Sequence, residues 1–168
     1  ADLLPRDRVA DRARHAWQFE HAGQLRAGLR YQAAVQRVSD DAFWEDFPRW
    51  ISSDTPRLLS QQLRAEWPWQ TAVGPALGYA RVQHWQVLSA GDTSAAIVAP
   101  YQRSPQLGVR VQPRMAGGLQ AALETEVNRF TRPPNAGDTS PPATGWRWHA
   151  AAVVSRPWRE AGWWFTPT

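Results

Sequence analysis

Two histidines and one aspartate are the side chains here best suited to proton chemistry. His84 precedes Trp85 and His149 follows Trp148, each inside an alternating, strand-like run, and Asp92 sits in the turn signal Ala-Gly-Asp-Thr at 90–93. Imidazole titrates near neutrality, so two such rings meeting beside a carboxylate would form a general acid–base group. Trp85, Trp146 and Trp148 would then wall a ligand pocket. No spacing in the sequence enforces that meeting; it requires a sheet curved enough to bring the two strands together. His15 and His21 lie six apart, so they share no helix face and make no helical metal site. Asp40, Asp41, Glu45 and Asp46 lack the alternating ligands and the glycine of a calcium loop. Cysteine is absent, which removes thiol chemistry, disulfides and thiolate metal sites. No serine elbow or glycine-rich phosphate loop occurs. Neither a cofactor nor a metal is expected.

Aromatic and cationic residues form the second group of candidates. The stretch GWRWHAAAVVSRPWREAGWWF, residues 145–165, holds five of the eleven tryptophans. On a strand, Trp146 and Trp148 share one face, while Trp163 and Trp164 point to opposite faces. Most of this cluster is expected to pack under a sheet, with one or two rings left exposed. Trp67, Trp69, Trp158, Trp163 and Trp164 are the expected partner contacts, because large aromatics dominate interface hot spots. All 19 cationic side chains are arginine. Scarce Lys, Asn and Ile beside abundant Ala, Arg, Gly and Pro reflect a GC-rich coding bias more simply than phosphate binding does. Arg103, Arg110, Arg114, Arg129 and Arg132, with Tyr101 and Phe130 nearby, form the candidate strip for anions or single-stranded nucleic acid. No nucleic-acid motif accompanies them.

These residues need elements to hold them. Apolar residues recur at three- and four-residue spacing across 6–38, which predicts helix there. A short helix follows over Asp40–Trp50, ended by Pro48. Asp54 or Thr55, Pro56 and the leucines Leu58, Leu59 and Leu63 predict another helix. From Leu77 the pattern turns strand-like: 77–90 and 94–101 form a hairpin, and Leu107, Val109 and Val111 alternate with polar neighbours. Residues 115–130 read as helix, the proline-rich 131–145 as loop, and 146–154 and 163–165 as strands.

Helices first, then mostly strands, gives an α+β fold: N-terminal helices on one face of a curved, mainly antiparallel sheet. At the level of architecture it resembles cone-shaped, NTF2-like domains. The 168 residues suit a single domain, helical over 1–68 and sheet-rich over 77–168. A hydrophobic fraction of 43% against 20% charged excludes disorder, and no apolar run approaches a helical membrane span. The start ADLLPRDR, without methionine, is expected of a mature exported chain, periplasmic or otherwise extracytoplasmic. The expected function is a non-enzymatic protein-interaction or assembly module of an envelope or secretion complex, bound to another protein or to itself. The alternatives are a small ligand-binding or acid–base enzyme, and an arginine-based nucleic-acid binder.

Overall fold

Alternation, rather than helical periodicity, decides how this chain folds. The computed structural model describes residues 1–47, 57–89, 97–134 and 138–167. Its strands are β1 (Asp2–Asp7), β2 (Arg12–Gln24), β3 (Arg30–Val38), β4 (Leu58–Gln70), β5 (Pro75–Val87), β6 (Gln102–Val111), β7 (Gln120–Thr131), β8 (Gly145–Ser155), β9 (Trp158–Glu160) and β10 (Trp163–Phe165). One helical turn, α1 (Phe43–Asp46), and a 3-10 turn at Arg26–Gly28 interrupt them. Strands β1 to β8 lie in chain order in one sheet, each antiparallel to the next, and β9 with β10 forms a separate hairpin.

The expected α+β fold and its NTF2-like outline are therefore corrected: the chain is nearly all β. The helix expected over 6–38 is β2 and β3, the one after Pro56 is β4, and the one over 115–130 is β7. Among the described residues, one α-helical turn forms within the expected helix at 40–50, as α1, and the 3-10 turn at Arg26–Gly28 is all that is helical within 6–38. The physical cause is visible in β2, where Trp17, Phe19, His21 and Gly23 oppose Arg37, Val35, Ala33 and Tyr31 on one side. Gln18, Glu20, Ala22 and Gln24 lie on the other. A period of two gathers Trp17, Phe19, Tyr31 and Val35 on one side and Gln18, Glu20, Gln24 and Gln36 on the other, whereas the helical stripe mixed the two sides. Residues 94–96 of the expected second hairpin strand lie outside the described residues, and 97–101 form no strand.

Among the described residues the apolar core is small. Ala16, Val38, Phe43, Leu59 and Leu88 cluster with Trp44 and Phe47 where α1 meets the sheet, and Leu59 and Leu88 are the side chains buried most completely. The β3–β4 ladder stops at Val35–Gln61. Beyond it the Gln86 side chain takes over: its Oε1 accepts from the Val38 N–H (3.1 Å) and its Nε2 donates to the Val38 carbonyl (2.9 Å).

Arg14, with its side chain 3% exposed, ties this end together. Its Nε and Nη2 donate to both oxygens of Asp40 (3.0 Å each), and Nη1 donates to Asp7 (3.0 Å) and Asp46 (2.6 Å). The guanidinium also lies over the Phe43 and Phe47 rings, 5.4 and 5.0 Å from their centroids. One buried cation thus fixes the β1–β2 turn, the end of β3 and α1. Burial works against both charges. Hydrogen bonds from Ser39 and Arg14 outweigh it at Asp40, whose pKa falls below the usual carboxylate range. Asp7 is lowered by the backbone amide of Val9, the Arg14 side chain and the Ala10 amide.

Because both folded-state pKa values are depressed, their stabilisation is complete above the ordinary aspartate range and disappears as pH falls through the folded values. Acidification below about pH 4 should therefore loosen this end. At neutral pH, Arg14→Met takes the shared cation from Asp7 and Asp46 and leaves Asp40 with only Arg12 and Ser39; it should cost about 3–5 kcal/mol, read as a lower urea midpoint. An unchanged midpoint would show that the cluster adds nothing.

Candidate functional site

Directly opposed residues in an antiparallel ladder share a face, so the register assigns every strand side chain. On one face, successive rows across the sheet are polar. One runs Arg30, Glu66, Tyr79, Gly108, Glu126, His149; the next runs Gln32, Arg64, Arg81, Gln106, Asn128, Arg147. The opposite face carries Leu63, Ala65, Trp67 and Trp69 on β4, with Val82, Ala80, Gly78 and Ala76 facing them on β5. It continues through Leu107, Val109 and Val111 on β6 to Trp146, Trp148, Ala150, Ala152 and Val154 on β8. Burial is inverted relative to a water-soluble domain. Trp148 is 73% exposed, Trp146 63% and Trp67 53% on the apolar face, while Asn128 on the polar face is 2% exposed.

The polar face is held by an organised network. The Tyr79 ring lies flat over Gly108 of the next strand, and any Cβ at that position would collide with it. This places the phenol oxygen 2.9 Å from both Glu124 Oε1 and Glu126 Oε2. A phenol has one proton, so it donates to one carboxylate at a time. Arg110 Nε and Nη2 donate to Glu124 (3.1 and 2.8 Å), and Gln106 and Asn128 amides donate to Glu126 (2.9 Å each). Arg110 and Tyr79 hold the Glu124 pKa down; Gln106, against some burial, then Asn128 and Tyr79 do the same for Glu126. Burial, then the two carboxylates, pushes the Tyr79 hydroxyl up.

The apolar face contains a groove of about 730 Å³ between Trp67 and Trp69 on one side and Trp148 on the other. Small residues make its floor: Ala65, Gly78 and Ala80. A Cβ on Gly78 would come within 2.9 Å of the Trp69 ring, so glycine lets that indole lie down on the neighbouring strand. Thr125 is the polar exception, and it is satisfied locally, accepting from Trp148 Nε1 (2.8 Å) and donating to the His149 carbonyl (3.3 Å).

The candidates from sequence are dispersed by this arrangement. His84 lies on the apolar face of β5, its Nδ1 3.0 Å from Gln102 Oε1, and His149 lies on the polar face of β8, opposite Glu126. The two rings do not meet, and Asp92 lies outside the described residues. Trp85 is on the polar face opposite Ser60, away from Trp148. Trp146 lines a separate hollow with Tyr101 and Phe130. Trp67, Trp158, Trp163 and Trp164 are exposed, Trp69 is half-buried, and Trp158 stacks on Phe165 within the terminal hairpin. The arginine strip is split. Arg103 and Arg110 are on the polar face, Arg129 is on the other beside Trp146, Arg132 pairs with Asp138, and Arg114 bridges to Gln120. Arg14 and Tyr79 were missed; the alternating Glu124-Thr125-Glu126 and an isolated Gly108 were the available signals for the Tyr79 network.

The strands thus form an eight-stranded meander, polar on one face and exposed-apolar on the other. A family model described as LptD, LPS transport system D, matches residues 12–168, and the chain belongs to that family. An LPS-assembly protein LptD from Acidovorax sp. (strain JS42) is 33% identical over 184 residues, covering 99% of this chain and 21% of the relative. Relatives of the same name from Ralstonia nicotianae and Cupriavidus necator are 31% and 32% identical, each covering 99% of this chain and 19% of the relative. The chain thus spans about a fifth of the length of the curated relatives it matches. The expectation of an extracytoplasmic envelope-assembly component agrees with this family at that coarse level, and nothing in it supports a nucleic-acid partner. No helix among the described residues is long and apolar enough to cross a membrane.

Two substitutions test the Tyr79 network. Tyr79→Phe deletes a donor shared by two carboxylates and should lower stability by about 1.5–3 kcal/mol. Gly108→Ala forces the ring off its seat and should cost about 1–3 kcal/mol. Thermal melts of both variants check this; a melt identical to wild type would remove the network from the account.

Proposed function

We propose that this chain forms a sector of the wall of a membrane-spanning β-barrel in an LPS-assembly protein, its apolar face against acyl chains and its polar face towards an aqueous interior. The inverted burial carries this reading. An apolar surface across six strands, with exposed tryptophans on β4 and β8, is unfavourable in water and natural in a bilayer, where barrel strands alternate apolar-out and polar-in. Strand length supports it. The six strands β3 to β8 hold 9–13 residues, and a tilted strand needs about 9–11 to span the hydrocarbon.

Connections support it too. One end of the sheet closes with residues 25–29, 71–74 and 112–119, while the other carries the longer 39–57, 88–101 and 132–144. Short turns belong on the periplasmic side of such barrels and long loops outside. The Arg14 cluster would then brace the outer end, and the β9–β10 hairpin would lie at the periplasmic end. Among the described residues, the outer edges of β1 and β8 have no partner in the sheet. Open edges cannot face lipid, because their backbone groups would go unsatisfied. Further strands would complete the wall. The role is structural and conducting, not catalytic; the separation of His84 from His149 favours this over the acid–base alternative.

Ala150 and Ala151 are neighbours of the same type on opposite faces of β8. In a bilayer, Ala150→Arg should destabilise the folded protein by about 2–4 kcal/mol if it lies near mid-depth, and Ala151→Arg should change little. Folding titrations into lipid vesicles measure both. Equal effects of the two arginines would sink the barrel reading.

A further inference from the structure

The groove between the tryptophans is a hollow in a face that otherwise projects. Ala65 and Ala80 are directly opposed across β4 and β5, and the same row continues through Leu107 and Val127 to Trp148. Small residues thus lie low at one end of the row, while Leu107 and Trp148 stand out from it. Apart from the indoles, the side chains of this face that line the groove are apolar except Thr125, whose hydroxyl is already engaged by Trp148 and the His149 carbonyl. A polar occupant would give up its water there for little in return, and hydrocarbon would not. Four interstrand steps separate β4 from β8, about 19 Å, against about 15 Å for the hydrocarbon of one leaflet, half of a membrane core. One acyl chain fits from wall to wall.

Charge says which lipid. The groove lies towards the short connections: Leu29 belongs to one of them, and Trp69 and Val109 sit just before the other two. Residues 25–29, 71–74 and 112–119 hold Arg26 and Arg114 and no acid, whereas 39–57, 88–101 and 132–144 hold seven acids against three arginines. Among the described residues, neither Arg26 nor Arg114 has a carboxylate within ion-pair reach. Both are placed beside the groove. The turn bearing Arg26 rests on Pro68, between Trp67 and Trp69, through Gly28. The Arg114 N–H donates to the Val73 carbonyl (2.8 Å), which ties it to the 71–74 turn. The same connections expose Leu25, Val73 and Met115, and apolar tips beside arginines suit a headgroup boundary, where stems bury and guanidinium groups reach the lipid anions.

We infer that this groove holds one acyl chain of an anionic glycerophospholipid from the leaflet at the short connections, with its headgroup at Arg26 and Arg114. The inference rests on the barrel reading, since it needs the apolar face to meet hydrocarbon. It adds that this face binds a particular lipid rather than only bordering a fluid one.

The test uses the full-length protein, released from lauryldimethylamine oxide micelles in a native mass spectrometer with phosphatidylglycerol, phosphatidylethanolamine or lipid A added. One retained phosphatidylglycerol is expected, held about tenfold better than zwitterionic phosphatidylethanolamine. Ala80→Phe raises the groove floor and should cut retention of both phospholipids about tenfold. Ala152→Phe, on the same face outside the groove, should leave retention unchanged. Arg26→Gln with Arg114→Gln should abolish the headgroup preference while phosphatidylethanolamine stays bound. Should the variants fail to fold, a phosphatidylglycerol with a diazirine on its acyl chain must still label the unaltered protein at 67–69 or 107–109. Retention indifferent to Ala80→Phe, label spread evenly over the apolar face, or lipid A held in preference overturns the proposal. The contrast between Ala150→Arg and Ala151→Arg reports separately on the barrel. If that contrast holds and retention fails, the lipid assignment falls alone; if the contrast fails, both fall.

Discussion

Every strand of this sheet is locked to its neighbours by a register that runs unbroken for most of its length, and that register leaves each side chain one choice of face. The β4–β5 ladder alone pairs residues from Leu58–Val87 to Gln70–Pro75 without a slip. Shifting any strand by one residue would carry arginines and glutamates onto the tryptophan face and leucines among the carboxylates. Backbone pairing and face separation therefore reinforce each other. Two of the three irregularities, near Arg81–Gln83 and Arg103–Gln106, lie where β6 carries the Ser104–Pro105 pair, since proline has no N–H to give the ladder, and the third falls between Leu4 and Asp7 in β1.

The consequences differ on the two sides. On the polar face, neighbouring rows exchange charge: Arg110 with Glu124, Arg64 and Arg30 with Glu66, and Tyr79 shared between Glu124 and Glu126. Such pairs satisfy one another without help from a core, which a sheet of this kind largely lacks. On the apolar face the packing is between strands rather than layers. Tyr31 over Gly23 and Trp69 over Gly78 fill gaps that a second sheet would fill in a sandwich. The buried arginine cluster is the exception, a small conventional core at one end, where α1 folds back onto the strands.

Parts of this were legible in the sequence. β5, β8 and β10 fall largely where 77–90, 146–154 and 163–165 read as strands, and the second half of β6 falls where 107–111 did, because valine and aromatic alternation was clear there. β2, β4 and β7 were hidden by residues that favour helices. Ala, Arg, Gln and Leu crowd these segments, and a barrel-type strand gives a weaker signal than a helix of the same residues. In β7, Leu119, Ala122, Leu123 and Val127 make a plausible helical stripe, yet the ladder puts Ala122 on one face and Leu123 with Val127 on the other. The shared face of Trp146 and Trp148 followed from alternation; their exposure did not, because a sheet with lipid on one side reverses the usual sense of inside. The Arg14 cluster joins residues 7, 14, 40 and 46, a tertiary meeting that no local spacing announces.

The separation of faces is the claim on which the rest turns, and the absence of native cysteine makes it directly measurable. Single nitroxide labels from Trp148 to Val154 on β8, in the protein inserted in lipid bilayers, report access to oxygen, which concentrates in hydrocarbon, and to a water-soluble nickel complex. The account predicts oxygen access at 148, 150, 152 and 154 and nickel access at 149, 151 and 153. Uniform access to nickel along the strand, or alternation in the opposite phase, would contradict it.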